Sequence, residues 1–405
     1  MKLFVVLSRV PYPLEKGDKL RAFNQLRILS KQHSIYLFAL NDTVLHKDAV
    51  QILSSFCEEV HIFNLQKRGI LWNALRFFLS DKPLQCGYFY NPKAQAEIDK
   101  LIAEIKPDHI YAQLIRTAEY VKNQPITKTL DYQDVFSKGM FRLMERASFW
   151  KRWLFSIEHR RLLKYERDIF PCFDHKTIIT GVDRDLIQHP NAKEIVVVPN
   201  GVDFEVFKPV KCTKKYDLIF TGNMSYFPNI FAAEYIVNEI LPQLKKKYPT
   251  IRIALCGANP SPRVKQLQNE NVVVTGWVEN IEEYYAESRI FIAPMELGTG
   301  LQNKLLEAMA VKIPCVASPL ASMPLNAVNQ RDIMICSSTE EYVHTVETLL
   351  SQPQQYEFIA ENGYKFVCEN YNWEHTTLIL NGLIGKKVYL CENGKKIERN
   401  GHHHS

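Results

Sequence analysis

Short apolar runs rich in β-branched and aromatic residues alternate with longer helical patterns along the chain. Apolar runs of this length between helices are typical of parallel strands that are covered on both faces. In the first half the predicted strands read KLFVVLS, SIYLFAL, EEVHIFNL, DHIYAQL, TKTLDYQ, TIITG and EIVVVPN, and in the second YDLIFTG, IRIALCG, NVVVTGWV, RIFIAPM and IPCVAS. The pattern therefore predicts an α/β protein with two doubly wound, Rossmann-like domains.

The boundary between these domains is predicted in PNGVDFEVFKPVKCTKKYD, a stretch interrupted by Pro and Gly and ending in basic residues. We expect KKVYLCENGKKIE to form a small hairpin that turns at Glu392-Asn393-Gly394. The terminal GHHHS has the composition of a tag remnant and is left aside. The predicted segments are an N-terminal domain, 1–208, a C-terminal domain, 209–370, a helix returning to the N-terminal domain, 371–385, and a basic tail, 386–405.

Composition narrows the class of protein. With 46% hydrophobic and 23% charged residues the chain is typical of a soluble globular protein, and its length of 405 residues suits two or three domains. A net charge of +6 permits anionic ligands but is too small for a nucleic-acid-binding protein. Nine scattered cysteines indicate reduced thiols in the cytoplasm. We expect no signal peptide, because MKLFVVLSRVPYP contains an apolar run of only five residues and no small-residue cleavage site. We expect no membrane span, because no run in the sequence approaches the roughly 18 apolar residues that a span needs.

The stretch ELGTGLQNKLLEAMA carries the first candidate chemistry. It joins the predicted strand RIFIAPM to the helical LLEAMA, so its glycines lie at the carboxyl end of a strand and the amino end of a helix. Unpaired backbone N–H groups and the helix dipole favour a phosphate there. Lys304 would add a positive charge, and Glu307, one turn on, would accept hydrogen bonds from ribose hydroxyls. The alternative is an exposed i,i+3 ion pair without a ligand.

The same stretch disfavours a nicotinamide or flavin enzyme. GTGLQN supplies two glycines of the dinucleotide fingerprint, but Asn303 stands at the third position. The first predicted strand is not followed by such a fingerprint either.

Several segments, taken in order, resemble glycosyltransferase family four, whose members have the GT-B fold of two Rossmann-like domains facing across a cleft. ELGTGLQNKLLEAMA followed by IPCVAS resembles the donor-binding segment, PNGVDFEVF the interdomain segment and GWVENIEEYYAES the nucleotide-base loop. RVPYPLEKGDKLRAFNQLRILS resembles the N-terminal glycine loop of a branch with K-G-D-K-L-R, and TGNMSYFPNIFAAEYIVNEILPQL the start of its C-terminal domain.

The resemblance implies a retaining, metal-independent transferase that moves a sugar from a nucleoside-diphosphate sugar to a hydroxyl. The leaving phosphate itself would take the acceptor proton, so stabilisation of diphosphate charge matters more than a separate base. No cofactor or metal is expected. The implied partners are a nucleotide sugar and a carbohydrate or lipid-linked glycan acceptor, in bacterial cell-surface polysaccharide or glycoconjugate synthesis. The donor-binding residues that follow are Glu307, Gly300, Leu301, Gln302, Asn303, Thr299, Gly222, Asn223, Gly17, Lys16, Gly276, Trp277 and Val278.

Two departures from the family pattern concern charge. The family usually has two glutamates eight positions apart, and Thr299 stands where the first would be, whereas Glu307 matches the second. An arginine and a lysine commonly follow the first strand of the C-terminal domain, but this chain has Gly222-Asn223-Met224-Ser225-Tyr226. We expect Lys304 to replace the missing charge, with Arg263 as a weaker candidate.

The N-terminal domain offers fewer candidates. Gly17, beside Lys16, can bring backbone close to the donor phosphates or to the acceptor. Relatives place a histidine against the donor sugar, and at that point DYQDVFS offers Gln133 and Asp134 while AQLIR offers Gln113 and Arg116. We select Asp134 and Arg116, with Lys304, as catalytic residues; the alternatives are a helix cap and a solvated charge. Asp183-Arg184-Asp185 is interpreted as a helix N-cap with a first-turn acid.

Residues 137–170 mix aromatic residues with nine basic and four acidic ones, a local net charge of about +5. Phe149, Trp153 and Ile157 share one helix face. This stretch could contact an anionic membrane peripherally, but the pattern favours packing of Phe149 and Trp153 on the domain core.

Two further functions stay open for the whole chain: a GT-B-like sugar-nucleotide epimerase, and a degenerate nucleotide-sugar-binding subunit without turnover.

Overall fold

The computed structural model describes residues 1–66, 80–297, 300–385, 387–390 and 396–399. The chain divides into two compact units. The first unit consists of Met1–Pro199 together with Thr376–Ser405, and the second of Asn200–His375. The division falls after Pro199, whereas the sequence suggested a boundary near residue 209, so that most of the Pro- and Gly-containing segment belongs to the second unit.

The first unit is built on a seven-stranded parallel sheet in the order β3-β2-β1-β4-β5-β6-β7. Its strands are β1 Lys2–Leu7, β2 Ser34–Asn41, β3 Glu59–Asn64, β4 His109–Gln113, β5 Lys128–Asp131, β6 His175–Ile178 and β7 Val196–Val197. Its helices are α1 Gly17–Leu29, α2 Ala49–Ser54, α3 Leu84–Phe89, α4 Pro92–Ile105, α5 Ala118–Val121, α6 Phe136–Arg146, α7 Phe149–Asp168 and α8 Gly181–Arg184, with 3-10 turns at Ile115–Thr117, Phe170–Cys172 and Ala192–Glu194.

The second unit repeats this plan with a six-stranded parallel sheet in the order β10-β9-β8-β11-β12-β13. Its strands are β8 Tyr216–Thr221, β9 Ile253–Cys256, β10 Val272–Gly276, β11 Ser288–Ala293, β12 Cys315–Ala317 and β13 Met334–Ile335. Its helices are α9 Phe227–Tyr235, α10 Leu241–Leu244, α11 Pro262–Lys265, α12 Ile281–Ala286, α13 Asn303–Ala310, α14 Pro319–Ser322, α15 Thr339–Ser351 and α16 Pro353–Asn370, with a π turn at Ile236–Ile240 and a 3-10 turn at Met323–Leu325.

The twelve predicted strands are all present, and the prediction of two doubly wound domains is confirmed. Strand β1 shows why the strands could be predicted from apolar runs in the sequence. Its side chains alternate between two cores, with Phe4 and Val6 on one face of the sheet and Leu3, Val5 and Leu7 on the other. Both faces are buried, so the strand has the continuous apolar run of a covered parallel strand. Strand β13 was missed because it has only two residues.

A last helix, α17, spans Trp373–Ile384, close to the helix predicted from the sequence. Its Leu380 and Ile384 are buried in the N-terminal core beside α1. The Asn381 side chain adds polar contacts there, since its amide Nδ2 donates to Gln32 over 2.9 Å and its oxygen lies 2.6 Å from His33 Nε2. After it, β14 Lys387–Leu390 and β15 Lys396–Arg399 pair antiparallel, which confirms the hairpin; its predicted turn, 392–394, lies outside the described residues.

Within the described part of the chain, no helix combines the length and the apolar character needed to cross a membrane.

Candidate functional site

Glycine loops bring the carboxyl ends of three neighbouring strands of the second unit together. Gly222 follows β8, Gly257 follows β9 and Gly276 ends β10. The Gly222 N–H donates to Cys256 O over 3.0 Å, and the Gly257 N–H donates to Gly276 O over 3.1 Å. A Cβ on Gly257, whose φ is +146°, would lie 1.8 Å from Gly222 O. Position 257 therefore needs glycine, and the close approach leaves an edge made largely of backbone.

Lys304, in the first turn of α13, lies at this edge. Its Nζ donates to Asn229 Oδ1 over 2.7 Å and lies 4.5 Å from the centre of the Phe220 ring. The absent side chain of Gly222 makes room for it, because a Cβ there would be 3.1 Å from Nζ. No carboxylate among the described residues forms an ion pair with Lys304. The ammonium thus has one amide acceptor and one ring face, and it retains donor capacity for an anion.

Burial lowers the pKa of Lys304 to about 7, although the nearby Glu307 carboxylate acts in the opposite direction. The cause is the desolvation of a cation without a full counter-charge. A diphosphate at this position would supply the missing charge and restore the protonated form. The arrangement can therefore bind an anion and stabilise the charge that develops on a leaving phosphate.

Glu307 is held in place by a hydroxyl chain. The phenol of Tyr285, itself fully buried, donates to Glu307 Oε2 over 2.8 Å and lies 2.6 Å from Thr221 Oγ1. Burial raises the pKa of Glu307, and the Tyr285 hydrogen bond and the Lys304 charge oppose that shift. Tyr285 is the only hydrogen-bond donor to this carboxylate within the described residues, so the second oxygen retains acceptor capacity for a hydroxyl ligand.

The start of α13 has backbone donors without a side-chain cap. Gln302 occupies the cap position in an extended conformation, and its side chain reaches Gly300 O over 3.3 Å. The Asn303 side-chain oxygen accepts from Asn200 Nδ2 over 3.1 Å. Gly300 adopts a positive φ of 71°, and Leu301 packs against the core of the unit. These features fit the predicted strand–glycine–helix geometry; Thr299 lies outside the described residues.

The other predicted donor contacts of this unit are more open. Asn223 closes a local turn by accepting from the Ser225 N–H over 3.0 Å. Trp277 is 72% exposed just beyond Gly276, and Val278 is half-buried beside it. Arg263, the weaker candidate for phosphate charge, makes a two-pronged ion pair with Glu234 on the surface, at 2.7 and 2.5 Å. Since its charge is already compensated, Lys304 is the better candidate.

The first unit contains a buried polar network that the sequence analysis missed. Arg21 of α1 is fully buried, and its Nε lies 2.6 Å from Asp131 Oδ2 at the end of β5. Tyr111 and Thr177, on the flanking strands, donate to the same carboxylate over 2.9 and 3.0 Å. The ion pair fixes the K-G-D-K-L-R helix to the sheet. Arg21 on the buried face of α1 was the available signal, but its partner lies 110 residues away.

Asp134 lies three residues beyond Asp131 in a strained loop, since its neighbour Gln133 has a φ of +59°. It does not cap a helix: the cap position of α6 is Val135. Burial raises the pKa of Asp134 to about 7, with further contributions from Asp183 and Asp131 that Arg21 opposes. No hydrogen bond to its carboxylate occurs among the described residues. The group can exchange a proton near neutral pH or accept a sugar hydroxyl.

Arg116 is not a solvated charge. Its guanidinium lies between the Phe89 and Phe136 rings, 4.9 and 4.8 Å from their centres, and Nη2 donates to Gln85 Oε1 over 3.0 Å. Its Nε is buried and has no hydrogen-bond partner in the described part of the chain. Burial lowers the pKa of Arg116 to about 10, and the charge of Arg9 adds to that shift.

The glycine-loop residues Lys16 and Gly17 lie at the start of α1, where Lys16 is extended and Gly17 is the first helical residue. A Cβ on Gly17 would meet no atom within 4 Å, so packing within the unit does not require glycine there. Asp183 is a first-turn acid as predicted, but the cap of α8 is Thr180, whose hydroxyl accepts from the Asp183 N–H over 3.0 Å. The described residues include no cluster of three or more His, Cys, Asp or Glu suited to a metal ion.

The prediction that Phe149 and Trp153 pack on the core is wrong. Phe149 is 81% exposed and Trp153 is 63% exposed, and Leu143 and Leu154 are exposed near them where α6 meets α7. Lys151 and Arg152 lie exposed between the two aromatic residues. On the helix face predicted from the spacing i, i+4, Phe149 and Trp153 face solvent, whereas Ile157 is half-buried.

Sequence matches point to one class of enzyme. Residues 215–352 match the family model for glycosyl transferases group 1. A relative from Klebsiella pneumoniae, described as an uncharacterized 44.6 kDa protein in cps region, is 22% identical over 396 residues, which cover 92% of this chain and 96% of that protein.

Solved structures share the fold over nearly the whole chain. Anabaena Alr3699/HepE, solved in complex with UDP and glucose, gives a TM-score of 0.68 at 14% identity and covers 94% of this chain and 98% of its own. Sucrose-phosphate synthase from Thermosynechococcus elongatus gives 0.67 at 14% identity, with 95% and 98% covered. The chain therefore has the GT-B fold, and its residues 215–352 match the model for glycosyl transferases group 1.

Proposed function

We propose that this protein transfers a sugar from a nucleoside-diphosphate sugar to a hydroxyl of a saccharide or lipid-linked glycan, with retention at the anomeric carbon. The observation that carries the proposal is Lys304, a cation that forms no ion pair with a carboxylate among the described residues and that lies at the glycine edge of the segment matching glycosyl transferases group 1. The cps-region relative favours a role in cell-surface polysaccharide synthesis.

In the proposed reaction the bond between the anomeric carbon and the β-phosphate oxygen breaks. The acceptor oxygen forms the new bond on the same face, and its proton passes to the leaving phosphate. Lys304 and the backbone N–H groups at the start of α13 stabilise the diphosphate charge, so this route requires no divalent ion. Glu307, oriented by Tyr285, accepts hydrogen bonds from the ribose. Asp134 and Arg116 are the proposed catalytic residues of the first unit.

The choice of nucleotide is open to a direct screen. Because Alr3699/HepE was solved with UDP, UDP sugars are the first candidates. The midpoint of thermal unfolding should be measured with UDP-, GDP- and ADP-sugars, and we expect one base series to raise it. The stabilising donor should then be incubated with and without saccharide acceptors, and product NMR should show the donor's anomeric configuration.

The two alternatives predict other outcomes of the same incubation. An epimerase would interconvert two nucleotide sugars without an acceptor and without release of nucleoside diphosphate. A binding subunit would be stabilised by the donor but would show neither donor hydrolysis nor transfer. An inverted anomeric configuration in the product would contradict retention.

A membrane contact through 137–170 is the second part of the proposal. The exposed Phe149 and Trp153, with Lys151 and Arg152 between them, combine apolar side chains with positive charge, as peripheral membrane segments do. We expect the protein to sediment with vesicles that contain anionic lipid and not with neutral vesicles. The Phe149→Ser/Trp153→Ser variant should lose this binding, whereas Phe358→Ser, at a residue 50% exposed in the second unit, should keep it. Equal sedimentation of all forms would contradict the contact.

A further inference from the structure

A cavity of about 480 Å³ opens in the first unit beside the carboxyl ends of β1 and β2. Its walls come from the loop that leads into α1 and from the segment 41–47 after β2. The carboxyl ends of parallel strands are where α/β sheets bind ligands. The volume lies within the range of small-ligand sites and suits one or two sugar rings.

The cations around this cavity outnumber the carboxylates. Among the described residues, four cationic side chains line it, whereas the lining carboxylates are Glu15 and Asp42. Glu15 is 3.0 Å from Lys19 Nζ, and Asp42 accepts from the Tyr88 hydroxyl over 3.2 Å. The four cations are Arg9, Lys16, Lys19 and Lys47.

Three of these cations retain capacity for a ligand. Lys16 and Lys47 form no ion pair within the described part of the chain, and they reach the cavity from different loops. Arg9 is bound through Nη1 to Asp18 over 2.7 Å, but its Nε is buried and has no hydrogen-bond partner among the residues that the structure describes. A buried N–H donor without an acceptor costs free energy. A hydrogen bond to a ligand oxygen would remove that cost.

The cavity also has an aromatic wall. Tyr12 lines it and packs edge-on against His46, with ring centres 5.2 Å apart. Aromatic rings present an apolar face, which matches the apolar C–H face of a sugar ring. The cavity thus combines cationic groups for an anion with a surface for a pyranose.

We infer that this cavity binds the acceptor, and that the acceptor is a saccharide carrying an anionic group, either a phosphate or a carboxylate. The inference rests on the proposed transferase function and adds the chemical class of the second substrate. Lys16, predicted from the sequence as a donor-binding residue, then contacts the acceptor, which was the second ligand considered for the glycine loop.

The test compares three monosaccharides with the full-length protein by ligand-observed NMR titration: glucose 1-phosphate, glucuronic acid and glucose. We expect at least one of the two anions to bind about tenfold more tightly than glucose, because ionic hydrogen bonds are added. In the Lys16→Gln/Lys47→Gln variant this preference should fall to about one. Lys93→Gln, at an exposed lysine of α4 without an ion pair among the described residues, should keep it.

The two anions identify the source of the charge. A preference for glucose 1-phosphate alone assigns a phosphate, and a preference for glucuronic acid alone assigns a carboxylate. Equal binding of all three sugars, or an unchanged preference in the double variant, would overturn the inference.

A parallel titration with the stabilising nucleoside diphosphate separates this inference from the proposed function. The Lys47→Gln variant should bind that nucleotide as the unchanged protein does, since Lys47 lines the acceptor cavity and is not among the predicted donor-binding residues. A large loss of nucleotide affinity would show that the cavity holds donor phosphate and would overturn the inference. Failure of the proposed function appears separately, as the absence of nucleotide binding by the unchanged protein.

Discussion

The two sheets have the same strand order around their first strands, but the cations near their carboxyl edges have different partners. In the first unit, Arg21 is fully buried and bonded to Asp131, which Tyr111 and Thr177 also contact. In the second, Lys304 contacts the Asn229 amide and the Phe220 ring, and it forms no ion pair with a carboxylate among the described residues. A cation compensated within the protein stabilises the fold, whereas one that is not compensated is available to a ligand.

The pKa values follow the same division. Burial lowers the pKa of Arg21, but Asp131, Tyr111 and Asp134 together outweigh this and the pKa stands above its ordinary value. Burial lowers the pKa of Lys304 to about 7 because Glu307 compensates only part of the cost. Removing either cation should therefore damage different properties of the protein.

The largest expected effect is on folding, from Arg21→Met. This change leaves Asp131 buried without its counter-charge, so the free energy of unfolding should fall by about 3–5 kcal/mol. Urea denaturation followed by circular dichroism measures it. The control is Arg27→Met at an exposed position of the same helix, expected within about 0.5 kcal/mol. Equal losses in both variants would mean that the buried pair does not set the stability of the first unit.

Lys304→Met should weaken nucleotide binding without lowering the stability of the fold, the reverse of the effect expected for Arg21→Met. Binding of the stabilising nucleoside diphosphate should weaken by about 1.5–3 kcal/mol, because a hydrogen bond to a charged group is lost. The free energy of unfolding should stay the same or rise at pH 7, since the cost of a partly desolvated cation disappears. Calorimetry and urea denaturation test the two parts. Lys245→Met, which removes an exposed ion pair with Glu270, is the control for both. Unchanged affinity would contradict the role of Lys304.

The smallest expected effect is the uptake of a proton when the nucleotide binds. At pH 8 Lys304 is largely neutral in the free protein, because its pKa is about 7. A bound diphosphate raises that pKa, so binding should take up as much as one proton, and affinity should fall as pH rises above 7. Calorimetry in two buffers of different ionisation enthalpy measures the uptake. Lys304→Met should abolish it, and uptake that persists in this variant would assign the proton to another group.

The sequence was sufficient to predict the features that depend on local patterns of residues. Both sheets followed from apolar runs, and the geometry of residues 300–307 followed from a glycine link between a strand and a helix. The sequence could not predict the hydrogen-bond partners that folding brings together from distant parts of the chain. Asn229 and Tyr285, which hold Lys304 and Glu307, lie 75 and 22 residues away in the chain.

The orientation of α7 was misjudged for a related reason. Periodicity identifies the face that carries Phe149 and Trp153, but it does not say whether that face meets protein or solvent. Exposure of 81% and 63% follows from what the rest of the unit leaves uncovered, which no local pattern records.

The helix Trp373–Ile384 has a practical consequence for dissecting the molecule. The chain enters the second unit once, at Asn200, and leaves it at His375, so that unit is a single uninterrupted stretch. The first unit is a split one, and its core includes Leu380 and Ile384 from the far side of the insertion. A gene fragment ending near residue 199 would lack these two side chains, so an isolated first unit should be made by joining its two pieces with a short linker.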